Sequence, residues 1–171
     1  MPKRIRFADT DTLGEAKARV QANIDRGLRC PCCGRMAKRY ARKINSGLAR
    51  ALILIYKVSQ ECCEDGAGWP WVKVVPALKA LEENANELEY SKLYHWYFIE
   101  PRTGHSRGND GFWRMTEDGV AFVTGAIQTA RVAYVLDGVC VGFAEDDYTT
   151  IHRALGDHFD YDELMGITVV G

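Results

Sequence analysis

Tyr90-Ser91-Lys92-Leu93-Tyr94-His95-Trp96-Tyr97-Phe98-Ile99-Glu100 and, beyond a polar interval, Gly111-Phe112-Trp113-Arg114-Met115-Thr116-Glu117-Asp118-Gly119-Val120-Ala121-Phe122 carry the most informative pattern in the chain. Residues from Glu87 to Ile99 carry Leu88, Leu93, Trp96 and Phe98 among their apolar positions, and this predicts a helix. Pro101 and the run Thr103, Gly104, His105, Ser106, Gly108, Asn109, Asp110 and Gly111 read as a loop. Phe112 to Thr116 alternates as a strand does. Thr116 followed by Glu117 and Asp118 is a helix start, and Gly125 closes the short helix that follows.

Upstream, Asn45-Ser46-Gly47 reads as a cap before a helix from Leu48 to Gln60, whose apolar face runs through Leu48, Leu52, Ile55 and Val58. After the Glu64–Gly68 loop, Trp71 to Val75 is rich in β-branched and aromatic residues and predicts a strand. Pro76 is expected as the first residue of the next helix, through Leu81, and Asn84 to Asn86 as a turn. The order is helix, loop, strand, helix, turn, helix, hairpin and closing helix.

That order, with the apolar–Ile–Glu end of the 87–99 helix and the aromatic–Arg–apolar–Thr–x–x–Gly pattern at 113–119, resembles the winged helix-turn-helix of prokaryotic regulators. The resemblance covers about half of the chain. It implies an α+β, mainly helical winged helix over 46–125, with a basic helical region carrying a cysteine knuckle at 1–45, and a β-hairpin and helix at 126–171. In such proteins the third helix enters the major groove of DNA and the wing reaches backbone or minor groove. Carried over residue by residue, this implies Ser91, Lys92, Tyr94 and His95 on the helix, and Arg102, Arg107 and Arg114 on the wing, as DNA contacts. The chain departs from that pattern at Glu82, Glu83, Glu87 and Glu89, because carboxylates repel phosphate.

Outside this module, Thr12 to Arg26 reads as an amphipathic helix stopped by Gly27, a candidate dimer helix, since regulators of this kind read two half-sites as dimers. Met36 to Ile44 is expected to be helical, so that Arg35, Lys38, Arg39, Arg42 and Lys43 gather on one side around Tyr40 and track a phosphate backbone. Val132–Leu136 and Val139–Phe143, joined by Asp137-Gly138, predict a β-hairpin. The tail from Tyr148 reads as one helix and a short apolar end. The Cys30-Pro31-Cys32-Cys33-Gly34 knuckle and the Tyr134–Phe143 hairpin also resemble small uncharacterised proteins of bacteriophages and prophages, a likeness that implies no activity.

The 171 residues, 47% hydrophobic and 26% charged, can build a core, which excludes global disorder. The longest apolar runs fall far short of the roughly 20 residues of a membrane span. Met1 to Arg6 is basic without an apolar segment behind it, so a cytoplasmic protein is expected. The net charge of -1 hides a split: residues 1–60 hold 14 Lys or Arg against 4 Asp or Glu, and residues 61–171 hold 8 against 19. The basic half points to a polyanion partner; the alternative is neutralisation within the fold or across a dimer, for instance by Asp146 and Asp147.

Cys30 and Cys33 have the C-x-x-C spacing that turns two thiolates toward one zinc. A structural zinc needs four ligands. Cys62 and Cys63 are candidates for the second pair, as are His95, His105, His152 and His158; the alternative is reduced thiols. Cys140 reads as a core residue. No nucleophile–base set, phosphate loop or H-E-x-x-H pattern occurs, and the acidic residues from Glu145 to Glu163 read as helix starts rather than a cation site. The expectation is a non-enzymatic regulator that binds double-stranded DNA as a homodimer. The alternative is a module that binds a host protein; a metal-dependent enzyme is a distant third.

Overall fold

The computed structural model describes residues 12–63, 68–80, 89–103 and 110–166. Outside them lie Arg107, His105, Glu82, Glu83, Glu87, the Asn84–Asn86 turn, most of the 64–68 loop, the basic start and the apolar end. Helices and strands both run through the chain, so it is α+β; the mainly helical expectation is corrected, because short antiparallel strands recur from end to end. Where the sequence suggested three consecutive segments, two compact units are present. One holds the chain up to Arg42 together with Ala133–Phe143, and the other holds Lys43–Val132 and the chain from Ala144. Among the described residues no helix is long and apolar enough to cross a membrane.

In the first unit, helix α1 (Leu13–Ala22) begins at a reciprocal cap. The Glu15 amide donates to Thr12 Oγ1 at 3.3 Å, and the Thr12 amide donates to the Glu15 carboxylate at 2.8 Å. The helix stops at Ala22, earlier than expected, and a turn over 23–26 leads to Gly27. Strands β1 (Leu28–Arg29) and β2 (Met36–Ala37) pair as a hairpin whose tip carries the cysteines. Strand β3 (Arg39–Lys43) replaces the predicted basic helix. Its Ala, Lys and Arg residues are good helix formers, but pairing at the edge of a sheet overrides that weak preference.

The second unit is built round α2 (Ser46–Glu61). Asn45 caps it, its side chain accepting from the Leu48 amide at 2.9 Å. Every residue from Ala51 to Tyr56 is buried, so α2 is covered on all sides rather than along one stripe. Strand β4 (Val72–Lys73) leads directly into α3 (Val74–Ala80), which starts two residues before Pro76. A 3-10 helix (Tyr90–Trp96) stands where a longer α-helix was expected, and Ile99 lies in strand β5 (Ile99–Pro101) instead of ending that helix. Strand β6 (Phe112–Met115) lies between β4 and β5, antiparallel to both, with Val72 opposite Trp113 and Ile99 opposite Met115. Helix α4 (Glu117–Val123) follows, capped by Thr116 Oγ1, which accepts from the Gly119 amide at 3.0 Å.

Strand β7 (Thr129–Ala130) precedes the predicted hairpin, β8 (Val132–Leu136) and β9 (Val139–Phe143). Asp137 (φ 50°) and Gly138 (φ 81°) form its turn, both in the left-handed region that a two-residue hairpin requires. The three-stranded sheet has the order β3-β8-β9. The tail is not one helix. Strand β10 (Tyr148–Thr149) pairs with β7, and α5 (Ile151–Leu155), a 3-10 turn and α6 (Tyr161–Met165) follow. Helix α2 touches α3, the 3-10 helix, β6, α4, α5 and α6.

Two substitutions test this packing. Leu52 is fully buried, and Leu52→Ala should cost about 2–5 kcal/mol. A Cβ on Gly119 would stand 2.1 Å from the Phe98 carbonyl oxygen, a backbone atom that cannot turn aside. Gly119→Ala should therefore destabilise by about 3 kcal/mol, reversing the roughly 1 kcal/mol gain that Ala ordinarily gives in a helix. Urea unfolding of both variants measures these changes, and a neutral or stabilising G119A would contradict the close approach.

Candidate nucleic-acid interface

Strand geometry redistributes the basic side chains. Successive residues of an extended chain point to opposite sides, so Lys38, Tyr40 and Arg42 fall on one side and Arg39 on the other. The cations report this directly. Lys38 Nζ lies 5.4 Å from the centre of the Tyr40 ring, and Arg42 Cζ lies 5.1 Å from it. Arg39 instead donates to Asp25 through Nε at 2.7 Å and Nη2 at 2.9 Å, and covers the Tyr134 ring at 5.1 Å. The helical arrangement that would have put Arg39 beside Arg42 is thus corrected, and Arg39 is matched by a carboxylate. Tyr40 and Lys43 are exposed, and Arg35 is exposed at the tip of the β1/β2 hairpin. Among the described residues, no carboxylate stands within ion-pair distance of Arg35, Lys38, Arg42 or Lys43. Asp147, considered from the sequence as a neutralising partner, pairs with Arg131 at 3.4 Å.

The residues that the winged-helix resemblance implied are arranged differently. Lys92 is paired with Glu89, three residues before it. Tyr94 is half-buried and sets its ring edge-on against Trp113, 6.4 Å between centres, and His95 is half-buried beside it. Ser91 is exposed. Arg102 pairs with Asp110 and lies 4.0 Å over the Phe112 ring. Arg114 pairs with Glu100, its neighbour across the β5/β6 pair, and lies 4.5 Å over Trp71. Lys92, Arg102 and Arg114 therefore each stand against a carboxylate. The aromatic faces beneath the arginines add to the cost of lifting them away.

An open cleft of about 550 Å³ lies next to these pairs, lined by Trp69, Tyr97, Glu100, Arg114, Glu117 and Asp118 among others. Tyr97 is exposed and holds a left-handed backbone (φ 60°) at the end of the 3-10 helix. Sequence reasoning missed this cleft, whose walls come from three separate segments. It also missed Asp25 as the partner of Arg39. The Lys-x-Tyr-x-Arg alternation at 38–42 was the available signal for a strand face.

Cys30 and Cys33 belong to the first unit, Cys62 and Cys63 to the second. Cys62 is the cap residue of α2, and Cys63 Sγ lies 3.6 Å from the Gly68 carbonyl. Cys140 is partly exposed on β9, not the core residue expected. Among the described residues, no group of three or more His, Cys, Asp or Glu is placed to hold a metal ion. Within the acidic C-terminal stretch, Asp160 has the local role the sequence suggested and caps α6, accepting from the Glu163 amide at 2.8 Å. Neither a family model, a curated protein nor a solved structure matches the chain.

The Arg102–Asp110 pair makes a prediction about pH. Partial desolvation would raise the Asp110 carboxyl, but the Arg102 guanidinium and the Phe112 amide outweigh it and hold the group below its ordinary value. A carboxyl lowered in the folded state stabilises at pH above the ordinary value near ~3.9, and that contribution is lost as pH falls through the lowered one. NMR titration should find Asp110 ionising below ~3.9 in the native chain. Arg102→Ala should bring it back toward that value, and an unchanged titration in R102A would remove the pair as the cause.

Proposed function

We propose that the chain is a non-catalytic DNA-binding protein of the winged-helix kind, in which the main polyanion surface is the cationic face of β3 rather than the third helix. The order α2, β4, α3, 3-10 helix, β5, β6, with β6 between β4 and β5, supports a winged-helix reading of 46–125. The observation that carries the functional reading is the contrast between two sets of cations. Lys38 and Arg42 flank the exposed Tyr40 without a carboxylate among the described residues, whereas Lys92, Arg102 and Arg114 each have one. Phosphate contact by a cation already paired must first break the pair, so its net gain is small; an unmatched cation releases counterions at full value.

A second reading has its own support. Paired charges, an exposed Tyr97 and the mixed polar and aromatic lining of the cleft suit a protein side chain better than a phosphate backbone. In that reading the third helix and wing bind a partner protein.

Fluorescence anisotropy with random duplex DNA over a salt series tests the first reading. Affinity should fall steeply with salt, and removing Lys38 and Arg42 together should weaken binding and flatten the slope of log K against log salt by up to about 2. Arg102→Ala with Arg114→Ala should change the slope far less. Absence of binding at low salt would sink the DNA reading and leave the protein partner.

A further inference from the structure

We propose that Cys30 and Cys33 are two ligands of a zinc ion whose other two ligands are Cys30 and Cys33 of a second copy of this chain. The argument begins with the hairpin tip. Between β1 and β2 the backbone curls tightly: the Gly34 amide donates to the Cys30 carbonyl at 2.9 Å, and the Cys30 amide donates to the Arg35 carbonyl at 2.7 Å. Arg29 closes the curl from outside, donating to the Gly34 carbonyl at 2.9 Å. Gly34 takes φ 69°, which the reversal needs and which a side chain would oppose.

Cys30 and Cys33 stand on either side of this turn, Cys30 partly exposed and Cys33 exposed, at the C-x-x-C spacing of a two-cysteine knuckle. Zinc takes thiolates, and a structural site takes four.

The remaining pair has to come from elsewhere. Cys62 and Cys63 are adjacent in sequence, one of them capping a helix, a poor arrangement for two bonds to one tetrahedral ion. A second copy carries the same two-thiolate half-site at an exposed tip, and a two-fold axis through the metal makes four ligands from one pair. The same unit supplies an independent sign of self-association. Met36 beside the knuckle is 55% exposed, and on the edge strand β9 Val139 is 63%, Val141 52% and Phe143 37% exposed. Apolar side chains exposed this densely mark a surface that another molecule covers.

Metal analysis with light scattering on the full chain tests the proposal. The expected result is one zinc per two chains, a particle of two chains, and conversion to single chains by a strong chelator. Cobalt titration of the chelated protein should saturate at one ion per two chains with the absorption of a tetrathiolate site, a reading independent of any substitution. Cys30→Ser with Cys33→Ser should lose both metal and dimer, while Cys62→Ser with Cys63→Ser keeps both. One zinc per single chain, loss of zinc in the C62S/C63S variant, a dimer that persists in metal-free C30S/C33S, or no metal at all would each overturn it.

Discussion

The middle of helix α2, from Ala51 to Tyr56, has no side left for water. A helix whose apolar residues run unbroken from Ala51 to Tyr56 cannot rest on a surface; it must be wrapped, and the elements after it do the wrapping. The hydroxyl of its fully buried Ser59 donates to the Ile55 carbonyl at 2.7 Å and so asks nothing of the neighbouring elements. The surrounding elements are short, several of them five to seven residues, and helices that short do not hold in water by themselves. They depend on α2 for the apolar surface that makes them worth forming. Phe98 and Phe122, stacked with ring centres 4.6 Å apart, show the same logic at the start of the sheet, where α4 comes so close that only glycine fits at 119.

Charge follows a different rule from packing. The chain's cations and carboxylates sit in opposite halves of the sequence, yet the structure pairs them locally: Arg39 with Asp25, Lys92 with Glu89, Arg102 with Asp110, Arg114 with Glu100 and Arg131 with Asp147. All are partly exposed, so each contributes little to stability. Their larger effect is on what the surface offers a ligand. A cation facing a carboxylate is visible to a polyanion only as a dipole, and the difference between the two groups of basic residues arises there rather than in their number.

Much of the fold was legible where its signals are local. Asn45 and Thr116 announce helix starts by chemistry that acts within three residues, and Asp137-Gly138 announces a hairpin by the backbone angles it tolerates. The Phe112–Met115 strand showed in its alternation. The segment at 36–44 was misread because Ala, Lys and Arg favour a helix when nothing else acts, and the partner strand that decides otherwise lies about ninety residues away, a separation over which no periodicity operates. The third helix was overextended for a related reason: Ile99 is apolar in either state, and only its position opposite Met115 makes it a strand residue. The basic residues were found from composition, whereas the pairing of Arg39 and Arg102 depends on Asp25 and Asp110, whose roles exist only after folding.

The first unit is assembled from two pieces of chain, everything before Lys43 and the hairpin of Ala133–Phe143. During synthesis its first piece leaves the ribosome long before the second exists. Strand β3 must wait, with a hydrogen-bonding edge unclaimed, while the whole stretch from Lys43 to Val132 is made. At the usual pace of about 5–20 residues per second, that wait lasts several seconds. The unit that begins first is thus completed only after most of the chain has been made. Its solubility in that interval rests on the charge it carries, which gives the 11 basic residues before Lys43 a role before any partner is met.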